Sequence, residues 1–382
     1  MLALGERLVQ RGHSVTYETW SRWQEHVTAA GMEFLAAPEY PVFPTLGRVL
    51  KPYEAVVQAT AVTRRGVAER RPDVVVHDIL TLAPAMAGEL EGIPVATLVP
   101  HIYPVGAPEF PPYAIGARLP RTVAGAEFWR AVGRATLGGL RQGRRELNET
   151  RAQLGLPPVQ RLHGGLSDRL CLVATFPQLE YPRHWPDSVH VVGPVMWEPP
   201  FRDVPEPAGD EPLVLVAPST AQDPQQRMLR SAITGLARAP VRVLATTNRR
   251  PLPVPVRLAP NVSLVNWISY SRSMPGASLV VCHAGHGTLV RALASGIPVL
   301  AVPHSGDMGE NAARLDWSGA GVRLPWRLLS ATTLRLAVAR ALDDRESFAA
   351  RAQELAAWAA ANDGATRAAE LIERLAGFPG AS

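Results

Sequence analysis

The strongest constraint on this chain is a pattern that runs through it twice: a short unbroken apolar run, a polar loop, then a stretch with helical periodicity. In the first half the apolar runs fall at residues 14–17, 74–77, 95–99 and 170–174, and helical pattern covers 1–10, 80–91 and 126–154. The alternation restarts with apolar runs at 213–217, 241–246, 262–265, 279–282 and 299–302. Helical pattern then covers 225–238, 288–294, 310–317 and 331–342. Unbroken apolar runs are what strands buried on both faces require, and their alternation with helices implies parallel sheets. The pattern predicts an α/β fold of two similar parallel-sheet units, with a ligand in the cleft that the carboxyl ends of the strands face.

A chain of 382 residues also exceeds one typical core, so two domains are expected. We divide it into an N-terminal unit at 1–195, a proline-stiffened linker at 196–212, a second unit at 213–360 and a tail at 361–382 that packs back on the first unit. The tail region reads as two helices, the second from about residue 364, and the proline-rich stretch 104–120 reads as a surface loop.

Composition narrows the class. Hydrophobic residues make up 47% and charged residues 19%, enough apolar surface for real cores. The net charge of +5 comes from scattered arginines, since Lys51 is the sole lysine. The doublets Arg64-Arg65, Arg70-Arg71, Arg144-Arg145 and Arg249-Arg250 read as solvated surface, and no basic stripe with interleaved aromatics points to nucleic acid. Cys171 and Cys282 lie in apolar runs and read as small buried hydrophobes, not a disulfide. No apolar run approaches the roughly 20 residues of a transmembrane helix and no signal peptide is visible, so a cytoplasmic setting is expected.

The most informative segment is Cys282-His283-Ala284-Gly285-His286-Gly287-Thr288, which follows an apolar run and opens a helical pattern. Glycines at 285 and 287 allow a ligand close to the backbone, where the first N–H groups of a helix favour negative charge. That geometry suits a diphosphate, to which His283 adds a side-chain donor; a purely structural tight turn is an equal alternative. The segment Pro303-His304-Ser305-Gly306-Asp307-Met308-Gly309-Glu310-Asn311-Ala312 repeats the arrangement. Asp307 there suits sugar hydroxyls, or complements the helix dipole. Trp267, in Asn266-Trp267-Ile268, either stacks on a nucleobase or packs in the core.

Taken in order, these strings resemble the glycosyltransferases of the two-domain GT-B type that include antibiotic, macrolide and plant natural-product transferases. The resemblance rests on residues 261–268, on His-Ala-Gly-His-Gly-Thr at 283–288, and on Ala-Ser-Gly-Ile-Pro at 294–298. It also rests on Asp-Met-Gly-Glu-Asn-Ala at 307–312, Val-Val-Gly-Pro at 191–194, Arg-Gly-His at 11–13 and residues 71–78, and so spans most of the chain. It implies two Rossmann-like domains and an inverting, metal-independent transfer that needs no cofactor beyond a nucleotide-diphosphate sugar. On that resemblance Trp267 stacks on the base, while His283, Gly285, His286, Gly287 and Thr288 hold the diphosphate with help from Ser219 or Thr220. Asp307, Met308 and Asn311 face the sugar.

Three departures follow. The family opens with a strand and a Gly-His loop carrying the base histidine, and this sequence starts inside the helix that follows, at Met1-Leu2-Ala3-Leu4. Removing a central strand leaves buried ladder groups unpaired at about 1–3 kcal/mol each, a sum that rivals the roughly 5–15 kcal/mol of a whole domain. An in-frame strand upstream is therefore expected. His101 is left as a candidate base, with Asp78 either orienting it or capping the helix at 80–91. Arg291 stands where many UDP-sugar relatives place a ribose-binding glutamate, and an arginine accepts no hydrogen bond. Met308 replaces the usual glutamine. Both changes favour a dTDP-deoxysugar, with UDP-sugar as the other donor; decay of activity is the equal alternative.

The acceptor is expected in the N-terminal unit, among Trp20, Trp23, Tyr40, Phe43, Tyr103, Phe110, Tyr113, Phe128 and Trp129. Tyr103, Phe110, Tyr113 and Trp129 are the chosen lining, and they suit a hydrophobic small molecule. A monomer or homodimer is expected. A catalytically impaired sugar-nucleotide-binding accessory protein is the alternative function.

Overall fold

The computed structural model describes residues 1–38, 54–199, 201, 204, 206–220 and 222–378, so the candidates Tyr40 and Phe43 lie outside the described residues. The first half runs α1 (Leu2–Gln10), β1 (Thr16–Thr19), α2 (Gln24–Ala29), β2 (Glu33–Ala36), α3 (Glu54–Arg70), β3 (Val75–Asp78), α4 (Ala83–Leu90), β4 (Val95–Val99), α5 (Val123–Gln153), β5 (Leu170–Val173) and β6 (Val189–Val191). The second half runs β7 (Leu213–Ala217), α6 (Arg227–Leu236), β8 (Arg242–Thr246), β9 (Val262–Val265), α7 (Tyr270–Ser273), β10 (Leu279–Cys282), α8 (His286–Ala294), β11 (Val299–Ala301), α9 (Met308–Ser318) and β12 (Gly321–Arg323). Helices α10 (Ala331–Asp343), α11 (Arg345–Ala361) and α12 (Gly364–Leu375) complete it.

The second half forms one six-stranded parallel sheet in the order β12-β11-β10-β7-β8-β9. Its central strands β7 and β10 are wholly buried, which is why they read as continuous apolar runs. The order reverses at β7, which pairs with β8 on one side and β10 on the other. Loops leaving β7 and β10 therefore diverge, and a crevice opens where they part.

The first half is divided. Strands β3-β4-β5-β6 form one parallel sheet and β1-β2 a separate parallel pair. Among the described residues β1 ladders only with β2 and β3 only with β4, so each presents one edge without a partner. The two strands remain close: Tyr17 of β1 is pushed up to about 12, by burial first and by the charge of Asp78 at the end of β3 second. Helix α12 covers the four-stranded sheet, where Ala368, Ala369 and Ile372 join Leu4, Leu98 and Leu172 in one core. It is also tied to the start of the chain, since Glu373 accepts from Arg11 Nε and Nη2 at 2.7 Å each.

Several boundaries differ from expectation for local reasons. Helix α5 starts at Val123 because Thr122 Oγ1 accepts from the Gly125 N–H at 3.1 Å. Helix α4 starts at Ala83, not 80, and Asp78 does not cap it; its Oδ1 accepts from the Leu80 N–H at 2.8 Å and closes the preceding turn. Cys171 and Cys282 are free and buried, and burial pushes each thiol up to about 12. No described helix is long and apolar enough to cross a membrane.

Candidate functional site

The crevice at the β7/β10 reversal is framed by two turns. After β10 the chain passes Ala284 in the left-handed region (φ 60°), then Gly285 as N-cap, and enters α8 at His286. A Cβ placed on Gly285 or Gly287 would meet nothing within 4 Å. The first N–H groups of α8, which have no intrahelical acceptor, thus sit beside open space where the helix dipole favours an anion.

His283 does not point into that space. It is 2% exposed, and the Ser219 N–H donates to its Nδ1 at 3.0 Å. A backbone N–H only donates, so Nδ1 is the acceptor and Nε2 carries the proton, which faces Asp223 Oδ2 at 3.3 Å. Asp223 also accepts from the Arg227 and Met228 N–H groups at the start of α6, at 2.9 and 3.0 Å. The expectation that the His283 side chain serves a phosphate is therefore corrected here: both ring nitrogens are occupied, and they fix the loop after β7.

That loop is pinned from a third side. Arg250 Nη1 donates to the Gln222 carbonyl at 2.7 Å and the Ser219 carbonyl at 3.2 Å, and Nη2 to the Asp223 carbonyl at 3.3 Å. Reading Arg250 as solvated surface is thus also corrected. Ser219 Oγ accepts from the Gln222 N–H at 3.0 Å, while Thr220 is exposed. Asp223 serves the start of α6 from four residues upstream, past a left-handed Gln226 at the N-cap, and so lies outside the position that marks a cap in sequence.

After β11 the loop is open at Gly306, but the start of the next helix is enclosed. Asn311 is wholly buried, and its Nδ2 donates to the Ala284 carbonyl at 2.9 Å and to Asp307 Oδ2 at 3.0 Å. Through Nδ2 it braces one turn against the other, while its buried Oδ1 has no partner among the described residues. Met308 is 7% exposed, and Asp307 is half-buried at the N-cap of α9. Gly309 lies against the 104–120 loop, so close that a Cβ on Gly116 would stand 2.7 Å from the Gly309 carbonyl.

Across the crevice the first half contributes His101, Tyr113 and Thr175. The His101 Nδ1 lies 2.7 Å from the Ile102 carbonyl, which can only accept; Nδ1 is protonated and Nε2 is left as the basic nitrogen. Tyr113 Oη lies 3.2 Å from the same Nδ1. Burial, then the charges of Asp307 and Glu310, push the Tyr113 phenol up, which puts this ring near the start of α9. His286 turns its ring to the first half, with Nε2 3.0 Å from Thr175 Oγ1. Burial first and His101 second push it down to about 3, so it is neutral. Its side chain is an interdomain contact, and only its backbone N–H faces the open turn.

Other candidates separate. Asp78 makes no hydrogen bond with His101 among the described residues; its carboxylate is spent on the turn at Leu80. Tyr103 and Phe110 are 6% exposed and corrected to core: Tyr103 packs on Trp185 at 5.5 Å and Phe110 on Tyr181 at 5.4 Å. Trp129 is half-buried on α5 against Phe128. Trp267 is half-buried with Arg249 over its ring at 4.6 Å. Arg291 is turned to the interdomain segment, where Nη2 donates to the Trp197 carbonyl at 2.9 Å and Nη1 lies 3.9 Å from Glu198 Oε2.

Residues 231–375 match the family described as erythromycin biosynthesis protein CIII-like, C-terminal domain. The chain is 30% identical to O-mycaminosyltylonolide 6-deoxyallosyltransferase of Streptomyces fradiae, over 98% of this chain and 94% of that protein. It is 29% identical to 4'-demethylrebeccamycin synthase of Lentzea aerocolonigenes, over 98% and 96%. Among solved structures it is similar to the glycotransferase of kitacinnamycin, with a TM-score of 0.76 at 24% identity over 99% of this chain and 95% of that one. The glycosyltransferase VinC in complex with dTDP matches with a TM-score of 0.66 at 20% identity, over 99% and 96%.

Proposed function

We propose a specific reaction on the premise that the chain belongs to the GT-B natural-product glycosyltransferases of antibiotic biosynthesis. It moves a deoxysugar from a dTDP-sugar, or a sugar from a UDP-sugar, to a hydroxyl of a hydrophobic ring-containing acceptor, with inversion and without a metal. The observation that carries this reading is the open start of α8, where Gly285 and Gly287 leave free space beside unpaired N–H groups. The dTDP bound to VinC supports the choice of nucleotide, as does Arg291 itself, whose guanidinium can accept no hydrogen bond from a second ribose hydroxyl.

In the proposed step His101 Nε2 takes the proton of the acceptor hydroxyl, and the oxygen attacks the anomeric carbon from the face opposite the diphosphate. The bond from that carbon to the diphosphate oxygen breaks, and the departing charge is met by the N–H groups of Gly287, Thr288 and their neighbours. Asp307 accepts from the sugar hydroxyls beside Met308, whose thioether suits a missing hydroxyl. Residues 1–195 hold the acceptor, 196–212 link, 213–360 hold the donor and 361–382 return to the first unit; the setting is the cytoplasm. A donor-binding accessory protein is not favoured, because the relatives carry the names of transferring enzymes.

The test is transfer from a dTDP-deoxysugar to a panel of polycyclic and macrolide aglycones, in chelator, read by mass spectrometry. Product is expected, and His101→Ala lowers the rate about 100-fold or more. Donor binding without transfer by the full chain would overturn the enzymatic reading, and an unchanged rate in His101→Ala would overturn the assignment of the base.

A further inference from the structure

The loop after β8 adopts a costly conformation. Asn248 and Arg249 have φ of 51° and 62°, the left-handed region that asparagine tolerates and arginine seldom occupies. The pair is held from several directions. The Asn248 N–H donates to Thr246 Oγ1 at 3.1 Å and its Nδ2 to the Pro218 carbonyl. Tyr270 Oη donates to Asn248 Oδ1 at 3.0 Å, and the Arg249 N–H to the Asn266 carbonyl at 3.0 Å.

The result is that two consecutive arginines reach two sides of one crevice. Arg250 grips the carbonyls of the loop after β7. Arg249 is exposed, and its guanidinium lies 4.6 Å from the centre of the Trp267 ring, with Phe201 edge-on to the same ring at 6.2 Å. Among the described residues no carboxylate pairs with Arg249. An exposed cation–π contact is weak and does not by itself offset a left-handed arginine. The strain is better explained by what the arginine meets when the site is filled.

We propose that Arg249 is a clamp on the nucleobase, which inserts between the guanidinium and the Trp267 indole. This rests on the reading of Trp267 as the base platform. A guanidinium is planar, weakly hydrated and stacks on aromatic faces, so it covers the side of the base that the indole does not. The side chain lifts by one ring thickness to admit the base, and no salt bridge has to break. Because both partners contact faces, the edges of the base are left to other groups, and the clamp acts equally on thymine and uracil.

Calorimetric titration of the full chain with dTDP, UDP and inorganic pyrophosphate tests this. Arg249→Asn keeps a residue that tolerates the left-handed backbone, and Arg249→Lys keeps the charge without the plane. Both variants are expected to bind dTDP and UDP about 10-fold more weakly, with pyrophosphate unchanged. Unchanged or tighter dTDP binding in both would overturn the clamp, as would an equal loss for pyrophosphate. Trp267→Ala separates the two levels. If it weakens dTDP while the Arg249 variants do not, the clamp alone fails; if it leaves dTDP unchanged, the base platform fails and the clamp with it.

Discussion

The turn after β10 and the turn after β11 are built from the same parts, a buried strand, a glycine-bearing polar loop and a helix, yet the first turn of the helix is open in one and enclosed in the other, where only Gly306 of the loop faces free space. Beyond Gly285 and Gly287 there is space, whereas Gly309 is pressed against Gly116 and Asn311 is wholly enclosed. Farther along α9, Arg314 lies 3.4 Å over the Tyr181 ring and 3.4 Å from Glu180 of the first half. The second turn is thus a joint between the halves, and it braces the first through the bond from Asn311 to the Ala284 carbonyl. A helix start becomes a ligand site only where nothing else fills it.

The sharpest way to break this comparison is to put a side chain into the open turn and another into the contact that encloses the start of α9. Gly287→Val should fold normally, since its Cβ meets nothing within 4 Å, yet lose donor turnover by about 100-fold or more. A lowered melting temperature with intact turnover would reverse the two roles. Gly116→Ala should do the opposite. Its Cβ falls 2.7 Å from the Gly309 carbonyl at a φ of +67°, and stability should drop by about 2–3 kcal/mol in urea unfolding.

The sequence showed the alternation, both turns and the indole, because each is local: a few residues of fixed type in fixed order. It did not show where side chains point. His283 looked like a phosphate ligand because its partners, Ser219 and Asp223, lie some sixty residues away in the chain and meet it only through the β7–β10 ladder. Tyr103 and Phe110 looked like a lining because the residues that enclose them, Tyr181 and Trp185, come from the far side of β5. Of the Arg249-Arg250 doublet, Arg249 is exposed as its composition suggests, while Arg250 is turned onto the loop after β7 by a backbone turn that leaves no mark in composition.

His286 sharpens the comparison through pH. Its folded value of about 3 lies below the ordinary 6.5, so as pH falls through that window the unfolded chain binds a proton that the folded chain refuses. Stability from this group is complete above 6.5 and is lost as pH falls towards 3. His286→Asn should flatten the dependence, with the wild type losing up to about 2 kcal/mol relative to it between pH 7 and pH 5. Parallel curves would mean that the ring is not enclosed between the halves. The smallest effect is expected for Asn311→Ala, about 1–2 kcal/mol by thermal or urea unfolding, because the Ala284 carbonyl and Asp307 each lose one partner. No loss would mean that the second turn does not brace the first.

The most direct test is a crystal structure of the full chain with dTDP. The diphosphate is predicted within hydrogen-bonding distance of the N–H groups of Gly287 and Thr288 at the start of α8, with the base at Trp267. Diphosphate at the start of α9, or anywhere away from the β7/β10 crevice, would contradict the account.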